Sequence, residues 1–589
     1  MRSPTDSSPR ANLLNLALLA VGLAPIALML CTVVRLWLPL PYWDEWSTPA
    51  ENLLDWCKGN LTFTELFSQH NESRKLFPRL LYLGLAQLGG WDVRKEMSIT
   101  FLIVCAIAFL FYRLLRQTPG ATTRAALLAW IAAALLCFSP VQLENFLWGV
   151  QLEVFFPELA VLALVAVNLS NLPLARKSLF NGLLAFVATY TVAHGMLLWL
   201  LGIPLLAIGE AISTRRKLVL YGAYFLCAAA AITAYLVDYH RPAHHPEFLA
   251  GHPSVLKLAH YLILWVGSYF NSTIASPFIV GLGAITIFAA ALFGSVGLVR
   301  QGRDWRAFYP GLIIGAYACA TAAITAIGRI GFGVEQALDT RYRTYSLFFY
   351  LAILSLLFAI YCCHFRSAAP ARRRIFLSGS CALALVALVG WLGCYRDGLR
   401  QTEVVVQRNH VLLRALEWIE VVPDNPDFHY LCFPLPETLA GRVRLLRQNR
   451  ILRLPFVSDQ IARAVHAMPH PVNGQPYGQL ETCVIDSNHN LWITGRAQLP
   501  DSKQPPDCIL IGAVDTTGVY KPISLMETKR PRGGGKAKGP QDERLLFGRT
   551  INPANLPPGN VAIAAWAVDL QGEKLYPLAG VTFIPAQQR

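Results

Sequence analysis

The first apolar run of the chain, LLNLALLAVGLAPIALMLCTVVRLWLPL at residues 13–40, decides the fold class. It is longer than the roughly 20 residues that a helix needs to cross the hydrocarbon core of a bilayer. It also lacks the small-residue site at which a signal peptide would be cleaved. We therefore interpret this run as a signal anchor and as the first of several membrane spans.

The composition of the whole chain agrees with a membrane protein. Of its 589 residues, 54% are hydrophobic and only 15% are charged, and the mean hydropathy of +0.41 lies outside the usual range of soluble chains. The formal net charge is +15, but many of the basic residues lie in short loops between apolar runs. That placement indicates the positive-inside rule, so no nucleic-acid partner is expected.

The apolar runs predict an α-helical polytopic membrane protein with about eleven spans. The predicted spans are 13–37, 97–115, 125–139, 155–174, 179–193, 196–210, 218–237, 277–299, 308–327, 345–363 and 375–394. The pair 179–193 and 196–210 is short, which favours a broken hairpin that turns at His194–Gly195. The runs 76–91 and 255–270 are expected to lie in the outer interface, because a further span there would invert all later basic loops.

The predicted orientation places the N-terminus in the cytoplasm and the C-terminal third on the other side of the membrane. We expect a transmembrane domain at 1–395, an extracytoplasmic helical connector at 396–474, and an extracytoplasmic β-sandwich at 475–589, where the apolar period becomes two. One interpretation of the β-sandwich is a carbohydrate-binding module. The general character of the chain favours a bacterial inner membrane with a periplasmic C-terminal domain.

Two features of the polar C-terminal part stay open at this level. The stretch RPRGGGKAKGPQ at 530–541 is predicted to be a flexible basic loop. Three cysteines, Cys432, Cys483 and Cys508, lie in this part, and their spacing does not decide whether or how they pair.

An acidic pair follows the first span directly. The stretch PYWDEWSTPAENLLDW at 41–56 places Asp44 and Glu45 between Trp43 and Trp46 at the predicted outer surface. A carboxylate held at the lipid boundary can act as general base toward a hydroxyl acceptor. The alternative is a helix cap with solvated acids, and the pair alone does not decide between the two.

The Asp-Glu pair after the first helix, in a long external loop with interfacial helices, resembles the GT-C superfamily of glycosyltransferases. That superfamily includes protein O-mannosyltransferases, lipid A aminoarabinose transferases and mycobacterial arabinofuranosyltransferases. The resemblance implies a GT-C-like membrane domain and a sugar donor on polyprenyl or dolichyl phosphate. It also implies that Asp44 is the catalytic base, with Glu45 as the neighbour that tunes it or holds acceptor hydroxyls.

A departing lipid phosphate needs cationic partners, and the loop GRIGFGVEQALDTRYR at 328–343 offers Arg329, Arg341 and Arg343. The positive-inside rule disfavours arginines at this face, which a phosphate clamp would explain. Pairing with Glu335 and Asp339 is the alternative. No Rossmann or P-loop fingerprint occurs in the chain, which argues against a nucleotide-sugar donor.

Further polar side chains are candidates for substrate binding: His70, Glu72, Arg74, Glu144, Trp148, Gln151 and His194. The spacing of Glu144, Trp148 and Gln151 predicts one shared helical face with an aromatic platform. His70, Glu72 and Arg74 could equally belong to a basic segment that anchors the chain at the lipid headgroups. An interfacial helix is the alternative for the 144–151 group, and a helix-capping histidine for His194.

No metal site is predicted, because the histidines at 240–252 match no standard zinc spacing. Parts of the superfamily hold a divalent cation (Mg, Mn or Ca), which the resemblance leaves open at Asp44 or Glu45. The expected partners are membrane lipid, a polyprenyl-phosphate-linked sugar, and a glycan, lipid or protein acceptor; the oligomeric state is undecided. A lipid or solute transporter and a non-catalytic envelope assembly protein remain the competing interpretations.

Overall fold

The computed structural model describes most of the chain. The described residues are 9–204, 212–272, 276–428, 436–454, 456–468, 477–486, 490–500, 504–514, 520–526, 546–553, 556–557 and 559–585. The basic loop predicted at 530–541 and Cys432 lie outside these residues, as does the 205–210 part of the predicted span 196–210. Cys483 and Cys508 are buried, and neither forms a disulfide with another described residue.

Helices make up most of the described chain. In chain order they are α1 (Pro9–Leu36), α2 (Ala50–Cys57), α3 (Phe63–Phe67), α4 (Leu76–Gln87), α5 (Val93–Gln117), α6 (Thr123–Cys137), α7 (Leu143–Leu147), α8 (Leu152–Leu169), α9 (Leu174–Thr189), α10 (Leu197–Leu201), α11 (Thr214–Leu236), α12 (Val255–Gly267), α13 (Pro277–Arg300), α14 (Tyr309–Arg329), α15 (Tyr342–Cys363), α16 (Pro370–Glu417), α17 (Pro436–Gln448) and α18 (Asp459–His466).

The strands are short and lie mostly near the C-terminus. They are β1 (Gln69–His70), β2 (Ser73–Arg74), β3 (Gly478–Ile485), β4 (Leu491–Ala497), β5 (Cys508–Val514), β6 (Tyr520–Met526), β7 (Leu546–Ile551), β8 (Val561–Asp569), β9 (Lys574–Pro577) and β10 (Thr582–Ile584). The chain divides into two compact units. The first comprises residues 1–39, 61–85 and 93–405, and the second comprises 40–60, 86–92 and 406–589.

Long apolar helices make the chain a membrane protein. Among the described residues, nine helices are long and apolar enough to cross a bilayer: Asn12–Leu36, Val93–Gln117, Thr123–Leu147, Gly149–Leu169, Thr214–Leu236, Pro277–Arg300, Tyr309–Phe332, Tyr342–Ser367 and Pro370–Glu417. Several expose large apolar side chains, such as Leu128, Leu226 and Phe293, as lipid-facing helices do. Each overlaps one of the spans predicted from the apolar runs.

The two predicted spans without a long helix are 179–193 and 196–210. Helix α9 ends at Thr189, and a 3₁₀ turn at Ala193–Met196 precedes the five-residue α10. The turn requires glycine, since a Cβ atom on Gly195 would lie 2.0 Å from the carbonyl oxygen of Ala188. The described part of this region is therefore a 16-residue helix followed by a tight turn, and not a pair of full-length spans.

The runs 76–91 and 255–270, predicted to lie in the interface, form α4, of 12 residues, and α12, of 13 residues. Both are shorter than a typical span. At the other end of the membrane region, the predicted boundary at 395 does not coincide with a helix end, because α16 continues without a break for 48 residues. The composition becomes more polar there while the backbone remains helical.

The C-terminal strands of the second unit form two antiparallel sheets. One has the order β10-β8-β5-β6, with β9 also on β8, and the other has the order β3-β4-β7. Apolar residues of both sheets share one core, including Ile493 and Phe547 from one sheet and Ile511 and Ile563 from the other. The strand region that was predicted from the period of two is thus a two-sheet sandwich.

The larger sheet is buried on both faces. Alternate residues of β5 point to opposite sides, so that Ile511 faces the shared core while Leu510 joins a second cluster. That second cluster contains Trp418, just after α16, and Ile461 and Val465 of α18. Helical segments therefore cover the face of this sheet that lies away from its partner sheet.

Candidate functional site

The predicted catalytic pair lies on a short 3₁₀ turn, Trp43–Trp46, in the second unit. Glu45 is fully buried, and its Oε2 accepts the backbone N–H of Tyr42 at 2.6 Å. This contact forms one half of a capping box, in which the acid satisfies an amide that the turn would otherwise leave unpaired. Glu45 therefore has a structural function at the start of the turn.

Asp44 differs from its neighbour. Its side chain is half-buried, and among the described residues its carboxylate makes neither a hydrogen bond nor an ion pair. The backbone immediately before it is unusual, since Trp43 has a φ of 49°, in the left-handed region that costs a bulky residue roughly 1–3 kcal/mol. The turn thus presents a carboxylate without a partner in the described part of the chain, next to a strained backbone position.

Three contacts within the second unit hold this turn. Arg442 of α17 donates from Nη1 to the carbonyl oxygen of Trp46 at 2.6 Å. The Trp46 ring packs edge-on against Trp91, with the ring centroids 5.7 Å apart. The guanidinium of Arg408 lies 4.3 Å above the ring of Tyr42. No local sequence pattern predicts the contact between α17 and the acidic turn, because nearly 400 residues separate them in the chain.

The arginines predicted to bind phosphate lie in the first unit. Arg329 forms an ion pair with Glu72, and the Nδ1 of His245 lies 2.8 Å from the same carboxylate. Burial lowers the pKa of His245 to about 4; the Glu72 carboxylate opposes that effect and Arg329 adds to it. The structure therefore joins Glu72, which was predicted as a substrate contact, with Arg329, which was predicted as a phosphate contact.

The other two arginines of this loop also have protein partners. The Nη2 of Arg341 lies 3.0 Å from Asp339, while 47% of the Arg341 side chain remains exposed. Arg343 is buried, and its Nη1 donates to the carbonyl oxygen of Val141 at 3.0 Å. Arg341 thus pairs with Asp339, which was the alternative to a phosphate clamp. Arg329 pairs with Glu72 and not with Glu335.

Arg74, a predicted substrate contact, is a buried structural residue. It donates from Nε to the carbonyl oxygen of Tyr235 at 2.7 Å and from Nη1 to that of Phe67 at 3.0 Å, and it also binds the carbonyl of Val237. A guanidinium has five N–H donors, and here several of them satisfy carbonyl oxygens at the ends of other segments. The side chain ties the β1–β2 hairpin to the end of α11.

His70 lies on the same hairpin and is partly buried. Burial lowers its pKa to about 2, and the positive charges of Lys75 and Arg79 lower it further. His70 is therefore a neutral imidazole at neutral pH. Its neighbour Lys75 forms a buried ion pair with Glu153, with 2.7 Å between Nζ and Oε1.

The shared helical face predicted for Glu144, Trp148 and Gln151 is not formed. Helix α7 ends at Leu147, Trp148 is extended with φ −121° and ψ 108°, and a separate 3₁₀ turn covers Gly149–Gln151. Because the helix breaks at Trp148, the i, i+4, i+7 spacing no longer aligns these side chains. Glu144 instead accepts a hydrogen bond from the hydroxyl of Thr340 at 2.5 Å.

His194, at the turn between α9 and α10, is buried against aromatic rings. The centroid of its ring lies 4.6 Å from that of Tyr345 and 6.0 Å from that of Tyr317. Its Nε2 has no hydrogen-bond partner in the described part of the chain. Over those same residues, no three or more His, Cys, Asp or Glu side chains come together in the way that metal ligands do.

The predicted site residues thus separate into two classes. Glu45, Arg74 and Arg343 are buried and hydrogen-bonded to the backbone, whereas Asp44 carries a carboxylate without a protein partner among the described residues. Comparisons of the chain with protein-family models, with curated proteins and with solved structures give no match.

Proposed function

We propose that the protein is a membrane glycosyltransferase that moves a sugar from a polyprenyl-phosphate donor to a hydroxyl acceptor, with Asp44 as general base. The observation that carries the proposal is the division between two adjacent acids. Glu45 is buried and caps the turn, while Asp44 is half-buried and its carboxylate has no partner among the described residues. A general base must be free to take a proton, and only Asp44 of the pair meets that condition.

In the proposed reaction the acceptor hydroxyl gives its proton to the Asp44 carboxylate. The acceptor oxygen forms a bond to the anomeric carbon of the sugar, and the bond from that carbon to the phosphate oxygen breaks. The electron pair of the broken bond leaves with the lipid phosphate. Glu45 acts by fixing the turn, so that the Asp44 carboxylate does not have to be ordered during the reaction.

The setting of the turn supports a lipid-linked donor. The turn follows α1, a candidate span, within a few residues of the sequence, and its partly accessible Trp43 is of the residue type that favours the membrane interface. We assign the reaction to the non-cytoplasmic face, with the C-terminal sandwich in the periplasm of a bacterial cell. The membrane domain in this proposal is GT-C-like, and the acceptor is a glycan, a lipid or a protein.

The test compares Asp44→Asn with Asp55→Asn. Asp55, on α2, is also half-buried and has no side-chain partner among the residues described, so the control removes a similar charge from the same region. Full-length protein in lipid nanodiscs is incubated with a panel of polyprenyl-phosphate sugars and candidate acceptors, and the released polyprenyl phosphate is measured by mass spectrometry.

The wild type and Asp55→Asn are expected to release polyprenyl phosphate at similar rates. Asp44→Asn is expected to lose at least about 100-fold in rate, which is the lower range for removal of a general base. If Asp44→Asn turns over the donor as fast as the wild type, Asp44 is not the base. If the folded wild type releases no polyprenyl phosphate from any donor, the glycosyltransferase assignment fails, and a transporter or an assembly protein becomes the better interpretation.

A further inference from the structure

The end of α17 and the segment after it line a pocket that no predicted site includes. Its volume is about 580 Å³, within the size range of small-molecule sites. The lining residues are Arg447, Arg450, Leu452, Arg453, Leu454 and Phe456, all of the second unit. The lining therefore combines cationic and apolar side chains.

Arg447 lines this pocket and makes two contacts with other side chains. Its Nη1 lies 2.6 Å from Oε2 of Glu420, and its guanidinium lies 4.3 Å above the ring of Phe456. The ion pair compensates its charge, and the two contacts restrict its movement. Arg447 therefore shapes the pocket and leaves the binding of an anion to the other two arginines.

Arg450 and Arg453 have no such compensation. Both are exposed, and over the described residues neither side chain makes an ion pair or a hydrogen bond. Two arginines without a partner among the described residues thus line one pocket. Guanidinium groups match the oxygens of a phosphate with two parallel N–H donors, which makes arginine the preferred residue for phosphate recognition.

Helix capping does not explain these two arginines. Arg450 has a φ of 58° in the turn that closes α17, where its N–H donates to the carbonyl of Arg447 at 2.9 Å. Glycine or asparagine normally occupies such a left-handed position, because a longer side chain is strained there. Arg453 lies five residues beyond the end of the helix, and the attraction of the helix dipole for cations is confined to the last turn.

The backbone between the lining residues Arg450 and Leu452 is contacted by the short segment 86–92. The N–H of Trp91 donates to the carbonyl oxygen of Ile451 at 2.6 Å. A Cβ atom on Gly90 would lie 2.7 Å from the same oxygen, so only glycine allows this approach. Because the Trp91 ring also packs against Trp46, one residue contacts both the pocket loop and the turn that carries Asp44.

We propose that this pocket binds a phosphate or diphosphate group, with Arg450 and Arg453 as its donors. The apolar lining residues Leu454 and Phe456 contact the carbon skeleton attached to that group. The pocket is larger than a single phosphate needs, which leaves room for such a skeleton. The inference does not depend on Asp44 being a base, since it concerns binding and not turnover.

The experiment uses the full chain in phosphatidylcholine nanodiscs and measures binding by isothermal titration calorimetry. The probes are inorganic pyrophosphate and geranyl phosphate, which represent a soluble and a lipid-linked phosphate. The variants are Arg450→Asn and Arg453→Gln. The matched control is Arg444→Gln, because Arg444 is an exposed arginine of α17 that does not line the pocket.

We expect Arg450→Asn and Arg453→Gln each to weaken binding at least about tenfold, as the loss of one charge-assisted phosphate contact does. Arg444→Gln is expected to stay within about twofold of the wild type, because an exposed charge outside the site is largely screened by salt. Tighter binding of geranyl phosphate than of pyrophosphate supports a lipid-linked ligand, and equal binding supports a soluble one.

Two results overturn the inference. One is that the folded wild type binds neither probe. The other is that Arg444→Gln weakens binding as much as the pocket variants, which would show general attraction to a basic surface. Misfolding is checked by thermal unfolding of Arg450→Asn, which is expected to be as stable as the wild type or more so, since asparagine tolerates the left-handed conformation. The two proposals can fail separately. Arg450→Asn that loses phosphate binding but releases polyprenyl phosphate normally supports only the pocket, and Asp44→Asn that binds phosphate normally but loses turnover supports only the proposed function.

Discussion

Two groups of arginines in this chain differ in what surrounds them. In the first unit, Arg329 and Arg341 pair with carboxylates and Arg343 donates to a backbone carbonyl. In the second unit, Arg450 and Arg453 have no such partner among the residues that the structure describes. The comparison teaches that arginines at the predicted outer surface are weak support for an anion-binding site. The absence of a protein partner for the guanidinium group is a better indicator of such a site.

The physical basis is the cost of removing a charge from water. A half-buried arginine that already pairs with a carboxylate must give up that contact before it can bind a phosphate, and the carboxylate is then left unpaired. An exposed arginine without a partner has no such cost. The partnered arginines are therefore expected to control stability, and the unpartnered ones to control binding.

The largest effect is expected at Arg74, the partnered arginine with the most backbone contacts. Arg74→Met removes the donors to the carbonyl oxygens of Phe67, Tyr235 and Val237, of which the contact to Tyr235 is buried and the other two are partly buried. We expect a loss of about 3 kcal/mol in the free energy of unfolding, measured by an unfolding titration in mixed micelles. Arg241→Met, at an exposed arginine, is the control and should change stability by less than about 0.5 kcal/mol. If both variants change the free energy of unfolding by the same amount, Arg74 does not have the structural role assigned to it.

The next effect is a loss of stability in acid. His70 is neutral in the folded chain because its pKa is lowered to about 2, whereas an unfolded histidine takes up a proton below about pH 6.5. The free energy of unfolding should therefore be flat above pH 6.5 and fall by about 1 kcal/mol per pH unit below it, down to the folded pKa. His245, with a pKa of about 4, adds a loss of the same sign.

The measurement is an unfolding titration at several pH values between 7.5 and about 5, where the carboxylates remain largely ionised. His70→Gln should flatten part of the slope and leave the part that comes from His245. A wild-type profile that is flat down to pH 5 would show that neither histidine is held neutral by the fold.

A smaller effect is expected for the pair of Glu72 and Arg329. A double-mutant cycle with Glu72→Gln and Arg329→Gln should give a coupling free energy of about 1 kcal/mol, because both side chains are partly buried. The pair of Asp339 and Arg341 should couple less, since nearly half of the Arg341 side chain is exposed. A larger coupling free energy for Asp339 and Arg341 than for Glu72 and Arg329 would contradict the structural role of Arg329.

Much of the membrane domain could be predicted from the sequence. Long apolar runs gave the nine candidate spans, because residues that face lipid must be apolar regardless of tertiary detail. The sequence misplaced helix ends where tertiary contacts decide. Gly195 closes a turn against Ala188, and α16 continues through the change in composition near residue 395. Hydropathy reports the surroundings of a residue and is a weaker guide to where the backbone bends.

The candidate site was predictable only in part. The pattern around Trp43 and Trp46 located the acidic pair, but Asp44 and Glu45 are equivalent in the sequence, and only the capping contact of Glu45 distinguishes them. The pairing of Glu72 with Arg329 joins distant segments, so no local spacing predicts it. For the same reason the sequence does not predict the pocket at the end of α17 or the contact of Trp91 with Ile451.

The most direct test of the comparison is thermal unfolding of the full chain with and without pyrophosphate, in the wild type, Arg329→Gln and Arg450→Asn. A ligand that binds only the folded state raises stability, by about 2.7 kcal/mol at 100 times its dissociation constant. We predict that Arg329→Gln lowers the melting temperature and keeps the rise caused by pyrophosphate, while Arg450→Asn keeps the melting temperature and loses the rise. The account is contradicted if Arg329→Gln abolishes the rise or Arg450→Asn retains it.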